Sequence, residues 1–514
     1  MKKKNLFSPK DIRQIKALGM SAADVENQLA TYRQGPHYLQ LSRPCSVKDG
    51  IILITPAQRK KLIDLYESES GRCKLIKFVP ASGAASRMFT SWFAAAENGG
   101  FGSDALNSKF FRDLSLFPFS HLIKENKNGK ELLDRKDVKG LLEFILGAEG
   151  LNYGDKPKAL IPFHRYPEGD LRTALEEHLI EAAGYVRSGG FSHLHFTLNA
   201  EHKQNITNFL KKEITRYERL GRIKYKVTSS FQSASSNTIA VDEYNLPLRN
   251  VKGELVFRPG GHGALLSNLN NLTADFIFVK NIDNIAPEPL LERNLLFKKM
   301  MGGMALKTQR EIYSMLHILE AREPSAAEID KIVYYCLHTL HITFPRGFSR
   351  LATTKKIPII FPLLNRPLRI CAMVRNEGEP GGGPFWVVEK DGTPTLQIVE
   401  YGHVDKSKSE QLDIWAQAKY FNPVDIVCCI KNYRGKKFVL DNYVNKDAYL
   451  ITKKNEKGIS LRALETPGLW NGGMAYWNTI FVELPLIVFN PVKSVYDLLR
   501  PQHSGQSKKP RKTK

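Results

Sequence analysis

A run of small residues between Pro80 and Met88 is the first segment of the chain whose residue types could bind a ligand. Short side chains let consecutive backbone N–H groups point into one concavity, which suits a phosphate group. The N–H groups in question belong to Ser82, Gly83, Ala84 and Ala85. Arg87 would add a fixed positive charge beside them. These residues predict a triphosphate-binding loop, with a simple tight turn as the alternative.

Two lysines around a proline, Lys156-Pro157-Lys158, form a second candidate. Proline disfavours the helical conformation in the residue before it, so Lys156 is expected to be extended. Ammonium groups held in this way could neutralise phosphate oxygens. The alternative is a solvated loop.

A carboxylate follows the most apolar short segment of the chain. Residues 274–279 are typical of a buried parallel strand, and Asn281-Ile282-Asp283-Asn284 comes directly after Lys280. Ligands bind where the strands of a parallel sheet end, and a carboxylate is a natural ligand of Mg²⁺. Asp283 is therefore a candidate metal ligand, with a loop cap as the alternative.

Three glycines surround one histidine in Pro259-Gly260-Gly261-His262-Gly263. Glycine allows the backbone to approach a flat ligand such as a nucleobase closely. This segment is a candidate base-binding site, with a helix start as the alternative.

The elements that position these motifs alternate between strands and helices. Strands are predicted at Cys73–Val79, at 194–198 and at 223–227, in addition to the apolar run at 274–279. Helices are predicted between them at 171–186, with Asp170 as N-cap, and at about 200–220. This alternation predicts an α/β domain with a mostly parallel sheet.

The flanking regions have other patterns. We predict helices over residues 9–69 and again over 288–342, where Ser325 and Glu328 form a capping box. Strands dominate after Pro358 and include a hairpin with an Asp391-Gly392 turn. The expected division is a helical extension at 1–70, a core at 71–345, a β-rich part at 346–500 and a basic disordered tail at 501–514.

The composition is that of a folded chain, with 42% hydrophobic and 25% charged residues among 514. There is no run of about 18 uncharged apolar residues, so no membrane span is expected. The first residues lack the apolar core of a signal peptide. The six cysteines show no CxxC spacing and are expected to be reduced thiols. A cytoplasmic protein is therefore predicted.

The formal net charge of +23 favours a partner that carries negative charge. Part of the excess lies in the lysine-rich ends, and the remainder shows no signature of a zinc finger, a helix-turn-helix or an RNA-recognition motif. A nucleic-acid-binding protein is therefore the third choice of function.

The motifs taken in order resemble those of the nucleotide-sugar pyrophosphorylases, which are nucleotidyltransferases of the GT-A-like α/β fold. The family's small-residue loop ends in Ser/Thr-Arg-Met/Leu, as in Ser86-Arg87-Met88, and its Pro-Lys is matched by Pro157-Lys158. The blocks matching members that act on UDP-sugars are Gly261-His262-Gly263, Asn281-Ile282-Asp283-Asn284, Ile398-Val399-Glu400-Tyr401 and a late block from Phe489 through Lys493 to Leu499. The chain also looks like a bacterial family of unknown function within that superfamily.

This resemblance implies a Rossmann-like, mostly parallel sheet with an N-terminal helical extension and a β-rich C-terminal part. The implied reaction joins a sugar 1-phosphate to a nucleoside triphosphate, with UTP favoured, and releases pyrophosphate. The implied catalytic residues are Arg87, Lys158 and Lys493, and Mg²⁺ is assigned to Asp283. Nucleotide binding is assigned to Ser82, Gly83, Ala84, Ala85, Gln232, Gly261, His262 and Gly263, and sugar binding to Asn281 and Glu400.

Two features depart from the family pattern. Lys158 follows Arg87 by 71 positions, a much longer interval than in related enzymes, so residues 89–150 are interpreted as an insertion. Ala84 and Ala85 stand where the family prefers glycine or Gly-Thr. A non-catalytic nucleotide-sugar-binding protein that keeps the fold is therefore the alternative function.

Overall fold

The computed structural model describes residues 6–221, 223–321, 323–379, 381–456 and 459–504. The α-helices in these residues are, in chain order, α1 (Pro9–Ala17), α2 (Ala22–Gln34), α3 (Pro56–Glu69), α4 (Thr90–Glu97), α5 (Asp104–Leu114), α6 (Ser120–Glu125), α7 (Lys127–Asp134), α8 (Val138–Leu146), α9 (Ala174–Tyr185), α10 (Lys203–Gly221), α11 (Leu265–Asn270), α12 (Glu288–Ala321), α13 (Ala326–His338), α14 (Thr353–Leu364), α15 (Ser409–Ala416) and α16 (Pro501–Ser504). The strands are β1 (Gln40–Pro44), β2 (Ser46–Val47), β3 (Gly50–Ile52), β4 (Leu75–Pro80), β5 (Pro162–Arg165), β6 (Leu171–Thr173), β7 (Arg187–Ser188), β8 (Phe191–Leu198), β9 (Lys224–Phe231), β10 (Asn237–Ile239), β11 (Phe257–Pro259), β12 (Phe276–Lys280), β13 (Leu368–Arg375), β14 (Gly383–Val388), β15 (Pro394–Val399), β16 (Tyr420–Phe421), β17 (Asp425–Cys429), β18 (Leu450–Glu456), β19 (Ile459–Glu465) and β20 (Asn478–Glu483).

The chain divides into two compact units, each built from stretches that are not adjacent in sequence. Unit 1 contains the described residues of Met1–Arg59, Phe231–Phe276 and Met304–Leu484. Unit 2 contains those of Lys60–Ser230, Ile277–Gly303 and Pro485–Lys514. The sequence-based domain boundaries near residues 70, 345 and 500 remain predictions.

Unit 1 contains most of the strands of the predicted β-rich part. Its main strands follow the order β2-β3-β20-β13-β17, with parallel pairing from β2 to β13 and antiparallel pairing of β13 with β17. A separate antiparallel sheet has the order β1-β14-β15. The predicted hairpin joins β14 to β15, and Gly392 adopts the positive φ that its turn requires.

The N-terminal helices belong to the core of unit 1. Ile15 on α1 and Val25 and Leu29 on α2 are buried with apolar residues that follow β10 and with Leu464 on β19. The prediction of helices over 9–69 is correct for α1, α2 and α3. It is wrong for residues 40–52, which form β1, β2 and β3, because β1 pairs with the distant β14, β3 pairs with the distant β20, and β2 pairs with β3.

Unit 2 contains the strands that lead to the first motifs. Its strands follow the order β12-β4-β8-β7, with β9 also paired to β8. β4 and β8 are parallel, whereas β7 and β8 form a hairpin. The alternating strands and helices confirm the predicted α/β class with a mostly parallel sheet.

Helix α9 begins later than predicted. Thr173 is its N-cap, since the Thr173 hydroxyl accepts from the Glu176 N–H and the Glu176 carboxylate accepts from the Thr173 N–H. Asp170 accepts hydrogen bonds from Arg172 and Arg216 instead. Residues 171–173 therefore form β6 and not the first helical turn.

A buried ionic group joins two neighbouring strands of unit 2. Lys77 on β4 and Lys280 at the end of β12 both contact Glu181 on α9, one at each carboxylate oxygen and both at 2.5 Å. All three side chains are at most 2% exposed. Burial lowers the pKa of Lys77 to about 7.

Residues 89–150, interpreted as an insertion, form α4 to α8 around an aromatic cluster in unit 2. The Trp92 ring lies against Phe110 and Phe117, with both centroid distances at 5.4 Å. Its indole N–H donates to the Tyr496 hydroxyl at 3.2 Å. This segment therefore supports the late block that contains Lys493.

Of the predicted basic tail, residues 501–504 form α16, and 505–514 lie outside the described residues.

Candidate active site

Three residues from distant parts of the sequence meet in unit 2. The ammonium groups of Lys158 and Lys493 lie 2.9 and 3.1 Å from the same carboxylate oxygen, Asp283 Oδ2. We call Lys158, Asp283 and Lys493 the lysine–aspartate cluster. It carries one negative and two positive charges, so its net charge is positive.

The end of β12 positions Asp283. The Ile282 N–H donates to the Pro80 carbonyl at the end of β4, and the Val492 N–H donates to the Asp283 carbonyl at 3.0 Å. The Asn490 N–H donates to the Asn284 side chain at 3.0 Å. These bonds hold the late block against the strand end that was predicted to bind the ligand.

Lys493 lies in a loop, outside the helices and strands of unit 2. The backbone N–H groups of Lys493 and Ser494 donate to the Asp497 carboxylate at 2.8 and 2.7 Å. Asp497 also completes a capping box with Ser494. The loop conformation is therefore set by local hydrogen bonds and not by a strand ladder.

The small-residue loop pairs with the segment that contains Lys158. The Lys158 N–H donates to the Gly83 carbonyl, and the Ala85 N–H donates to the Lys156 carbonyl, both at 3.1 Å. Two motifs that the insertion separates in sequence are thereby adjacent in unit 2. One of the predicted phosphate-binding N–H groups, that of Ala85, is already bonded to protein. The Arg87 side chain is exposed.

The electrostatics of the cluster follow from its burial. Burial, together with the positive charges of Lys493 and Arg87, lowers the pKa of Lys158 despite the nearby carboxylate. Burial alone would raise the pKa of Asp283, but Lys158 and Lys493 lower it overall. Asp283 is thus ionised at neutral pH and Arg87 is close enough to affect Lys158.

A second group of predicted residues meets in unit 1. The His262 Nε2 atom lies 3.4 Å from Glu400 Oε1, which also accepts from Asn471 Nδ2 at 2.7 Å. The His262 ring stacks on Trp470 with a centroid distance of 4.1 Å. We call His262, Glu400, Trp470 and Asn471 the histidine–glutamate cluster.

A backbone hydrogen bond selects the tautomer of the neutral His262 ring. The Leu469 N–H donates to His262 Nδ1 at 3.1 Å, so in the neutral ring Nε2 carries the hydrogen and faces Glu400. A Cβ on Gly468 would lie 2.4 Å from His262 Cε1, so this close approach requires glycine. Burial would raise the pKa of Glu400, but His262 and Asn471 lower it to about 2.

Trp470 and Asn471 were not predicted from the sequence. They lie in a loop with glycines at 468, 472 and 473, a pattern that resembles the other candidate loops and could have indicated a site. The Asn471 Oδ1 atom is buried and has no hydrogen-bond partner within the described residues. The cluster can thus accept hydrogen bonds from a neutral ligand.

The remaining predicted residues are more peripheral. Gln232 follows β9 directly, and its side-chain nitrogen is buried without a partner in the described part of the chain. Asn281 is half-buried beside the lysine–aspartate cluster, and its carbonyl accepts from the Asn284 N–H. Gly261 and Gly263 belong to the helical turn that presents His262, and Gly261 has a φ of 74°.

The Asp283 carboxylate has one oxygen that could bind a metal ion. Within the described residues no three His, Cys, Asp or Glu side chains form a group that could hold a metal. The buried Asp283 Oδ1 atom, however, has no hydrogen-bond partner there. One carboxylate oxygen suits Mg²⁺, which commonly takes one or two protein carboxylates and completes its shell with phosphates and water.

The comparisons with solved structures identify similar proteins at low sequence identity. They include the UDP-N-acetylglucosamine pyrophosphorylase of Trypanosoma brucei, with 11% identity over 97% of this chain and 82% of that one and a TM-score of 0.48. The UDP-glucose phosphorylase of Trypanosoma brucei is 13% identical over 95% and 77% of the two chains, with a TM-score of 0.46. The UDP-glucose pyrophosphorylase of Leishmania major has the same identity and coverage and a TM-score of 0.42.

No curated protein matches the chain significantly. Among the helices of the described residues, none is long and apolar enough to span a bilayer. The expected likeness to a family of unknown function is confirmed, because the family model named domain of unknown function DUF4301 matches residues 8–504. The protein belongs to the DUF4301 family.

Proposed function

We propose that this protein is a nucleotidyltransferase that joins a sugar 1-phosphate to a nucleoside triphosphate and releases pyrophosphate. The observation that carries the proposal is the convergence of Lys158 and Lys493 on Asp283 beside the loop of residues 82–87. A positively charged, partly enclosed group of this kind suits phosphates. The matching motifs of the nucleotide-sugar pyrophosphorylases supply the reaction class.

In the proposed reaction an oxygen of the sugar phosphate attacks the α-phosphorus of the triphosphate. The bond from that phosphorus to the bridging oxygen breaks, and pyrophosphate leaves with the electron pair. The attacking phosphate is already anionic near neutral pH, so no general base is needed. The task of the protein is to align the phosphates and offset their charge, which Lys158, Lys493 and Arg87 perform.

Asp283 is the proposed Mg²⁺ ligand through its unpartnered Oδ1 atom. When bound, Mg²⁺ would neutralise phosphate charge. The two lysines already pair with Oδ2 and hold the carboxylate in a fixed orientation.

The histidine–glutamate cluster of unit 1 is proposed to recognise neutral groups. Glu400 and Asn471 present oxygens to the hydroxyls of a sugar, while the glycines around His262 allow close approach of a base. UTP is the proposed nucleotide, on the basis of the Gly-His-Gly match. The proposed location is the cytoplasm, in keeping with six cysteines that form no disulfide within the described residues.

One observation favours a non-catalytic nucleotide-sugar-binding protein as the second candidate. The Ala85 N–H, a predicted phosphate donor, is bonded to the Lys156 carbonyl. A loop with fewer available donors stabilises a triphosphate less well in the transition state.

The test is pyrophosphate release from UTP and a panel of sugar 1-phosphates with Mg²⁺, followed by the reverse reaction from UDP-sugars and pyrophosphate. Turnover in both directions that depends on both substrates supports the proposal. Binding of a UDP-sugar, measured by calorimetry, without pyrophosphate release from any member of the panel would establish the second candidate instead.

A further inference from the structure

Unit 1 contains a cavity of about 860 Å³ that neither cluster uses. Its walls come from the β14–β15 hairpin, the end of α14, the loop at 340–345 and the residues that lead into β20. Glu400 follows the far end of β15, whereas Thr395 at the near end lines the cavity. Five residue steps along the extended chain separate them by about 16 Å. The cavity is thus distinct from the histidine–glutamate cluster.

Most of the lining is apolar. It includes Leu39, Leu340, Ile342, Ile359, Leu363 and Leu396. Cavities of about 300–1,000 Å³ with mostly apolar walls and a few polar groups are typical of small-molecule sites. The volume and composition therefore fit a ligand with an apolar body.

Arg366 supplies an unpaired positive charge to this lining. Its guanidinium donates to the Pro362 carbonyl at 3.3 Å and forms no ion pair with any described residue. Burial lowers the pKa of Arg366. A half-buried guanidinium without a carboxylate is costly, because its charge is removed from water with little compensation.

The other charged side chains of the lining either form an ion pair or are negatively charged. Lys390 pairs with Asp447 at 2.6 Å, and Glu389 accepts from the Thr395 hydroxyl at 2.7 Å. Asp391 also lines the cavity. These acids would repel a ligand with two negative charges, whereas a single charge can be satisfied by Arg366.

We propose that this cavity binds a small monocarboxylate with an apolar body, whose carboxylate pairs with Arg366. A guanidinium matches a carboxylate through two parallel hydrogen bonds. The apolar body occupies the space between the β14–β15 hairpin and α14. This site does not depend on the nucleotidyltransferase proposal.

The test uses isothermal titration calorimetry with three naphthalene probes that share one ring system. 1-Naphthaleneacetate carries one negative charge, 2-(1-naphthyl)ethanol carries none, and 1-naphthyl phosphate carries close to two near neutral pH. The acetate is expected to bind at least about tenfold more tightly than either of the others, as one charge-assisted hydrogen bond would give.

Two variants assign the binding to the cavity. Arg366→Gln should remove the preference for the acetate, and Thr343→Phe should weaken binding of the acetate and the alcohol alike by filling the cavity. Arg350→Gln is the matched control, since Arg350 is exposed and does not line the cavity. Circular dichroism and the melting temperature establish that each variant is folded.

Equal binding of the acetate and the alcohol would overturn the proposal, as would an unchanged preference in folded Arg366→Gln. Tighter binding of the phosphate would show that the acidic residues of the lining do not exclude a ligand with two negative charges. It would overturn the monocarboxylate assignment. Failure of the acetate to bind wild-type protein at millimolar concentration would have the same effect.

Discussion

The two clusters of predicted residues use different interactions to hold their side chains. In the lysine–aspartate cluster of unit 2, one carboxylate is shared by two ammonium groups. In the histidine–glutamate cluster of unit 1, one carboxylate is held by an imidazole N–H and a side-chain amide, and the imidazole ring stacks on an indole. The first arrangement has surplus positive charge, and the second has surplus hydrogen-bond acceptors.

This difference indicates a division of chemical tasks. Surplus positive charge stabilises phosphates, most of all when charge develops during their transfer. Acceptors and flat surfaces distinguish one neutral ligand from another but contribute equally to the ground and transition states. Substitutions in the lysine–aspartate cluster should therefore lower the rate, whereas those in the histidine–glutamate cluster should affect affinity and stability and not the rate.

The largest effect is expected for Asp283→Asn. Pyrophosphate release should become undetectable, because the proposed metal ligand and the partner of both lysines are lost. The variant leaves the mostly buried Lys158 without a counter-charge, so its free energy of unfolding should fall by about 3 kcal/mol. Urea denaturation and the pyrophosphate assay measure the two effects.

The double variant Asp283→Asn/Lys158→Met is the control for Asp283→Asn. It should recover most of the lost stability, since no unpaired buried charge remains. It should not recover turnover. Wild-type turnover in the single variant would remove Asp283 from the mechanism.

Lys493→Ala should mainly affect the rate. We expect kcat to fall by about 10²-fold or more, because an ammonium group that is proposed to lie beside the reacting phosphate is lost. The Lys493 side chain is 47% exposed, so the change in stability should be within about 0.5 kcal/mol. Lys493→Arg should restore only part of the rate, since a planar guanidinium places its charge differently.

Steady-state kinetics with the exposed Lys127→Ala as control would measure the effect of Lys493→Ala. A rise in KM at unchanged kcat would contradict the comparison, because it would give Lys493 the role assigned to unit 1.

Glu400→Gln should have the smallest effect, and that effect should depend on pH. The pKa of Glu400 is about 2 in the folded protein against an ordinary value of 4.5. The unfolded chain therefore binds more protons between these values, so the stability contributed by Glu400 is complete above about pH 4.5 and is lost as the pH falls toward 2. The variant should be about 1–2 kcal/mol less stable at pH 6, and this difference should shrink at pH 3.

Urea denaturation at several pH values, with the exposed Glu410→Gln as control, would test the Glu400 prediction. If the difference in stability between wild type and Glu400→Gln stays constant from pH 6 to pH 3, His262 and Asn471 do not stabilise the ionised carboxylate of Glu400.

Sequence patterns correctly predicted the elements that are stabilised by residues nearby in the sequence. The apolar run before Lys280 forms β12, and the capping box at Ser325 begins α13. Residues 40–52 were misjudged because β1 and β3 depend on partners more than 300 positions away, such as Trp386 opposite Arg43. No local periodicity contains that information.

In the candidate sites too, contacts between residues that are distant in sequence were not predicted. The motifs that resemble a family identified Lys158, Asp283 and Lys493, and the structure brings these together in unit 2. Trp470 and Asn471 lie outside the matched motifs, and their contacts with His262 and Glu400 form only when the chain folds. The sequence also offered no sign that Ala85 bonds to Lys156, since the two are separated by the insertion.

The buried Lys77–Glu181–Lys280 group has a consequence for how unit 2 selects its strand alignment. Side chains alternate between the faces of a strand, so a slip of β4 or β12 by one residue would turn a lysine away from Glu181. The resulting uncompensated charge in the interior would cost several kcal/mol. Apolar side chains would tolerate such a slip far better, since they have no fixed partner. These three charges therefore destabilise shifted alignments of β4 and β12 relative to the native one. The two lysines lie three residues before Pro80 and Asp283, so they also fix the positions of the strand ends that carry these two residues.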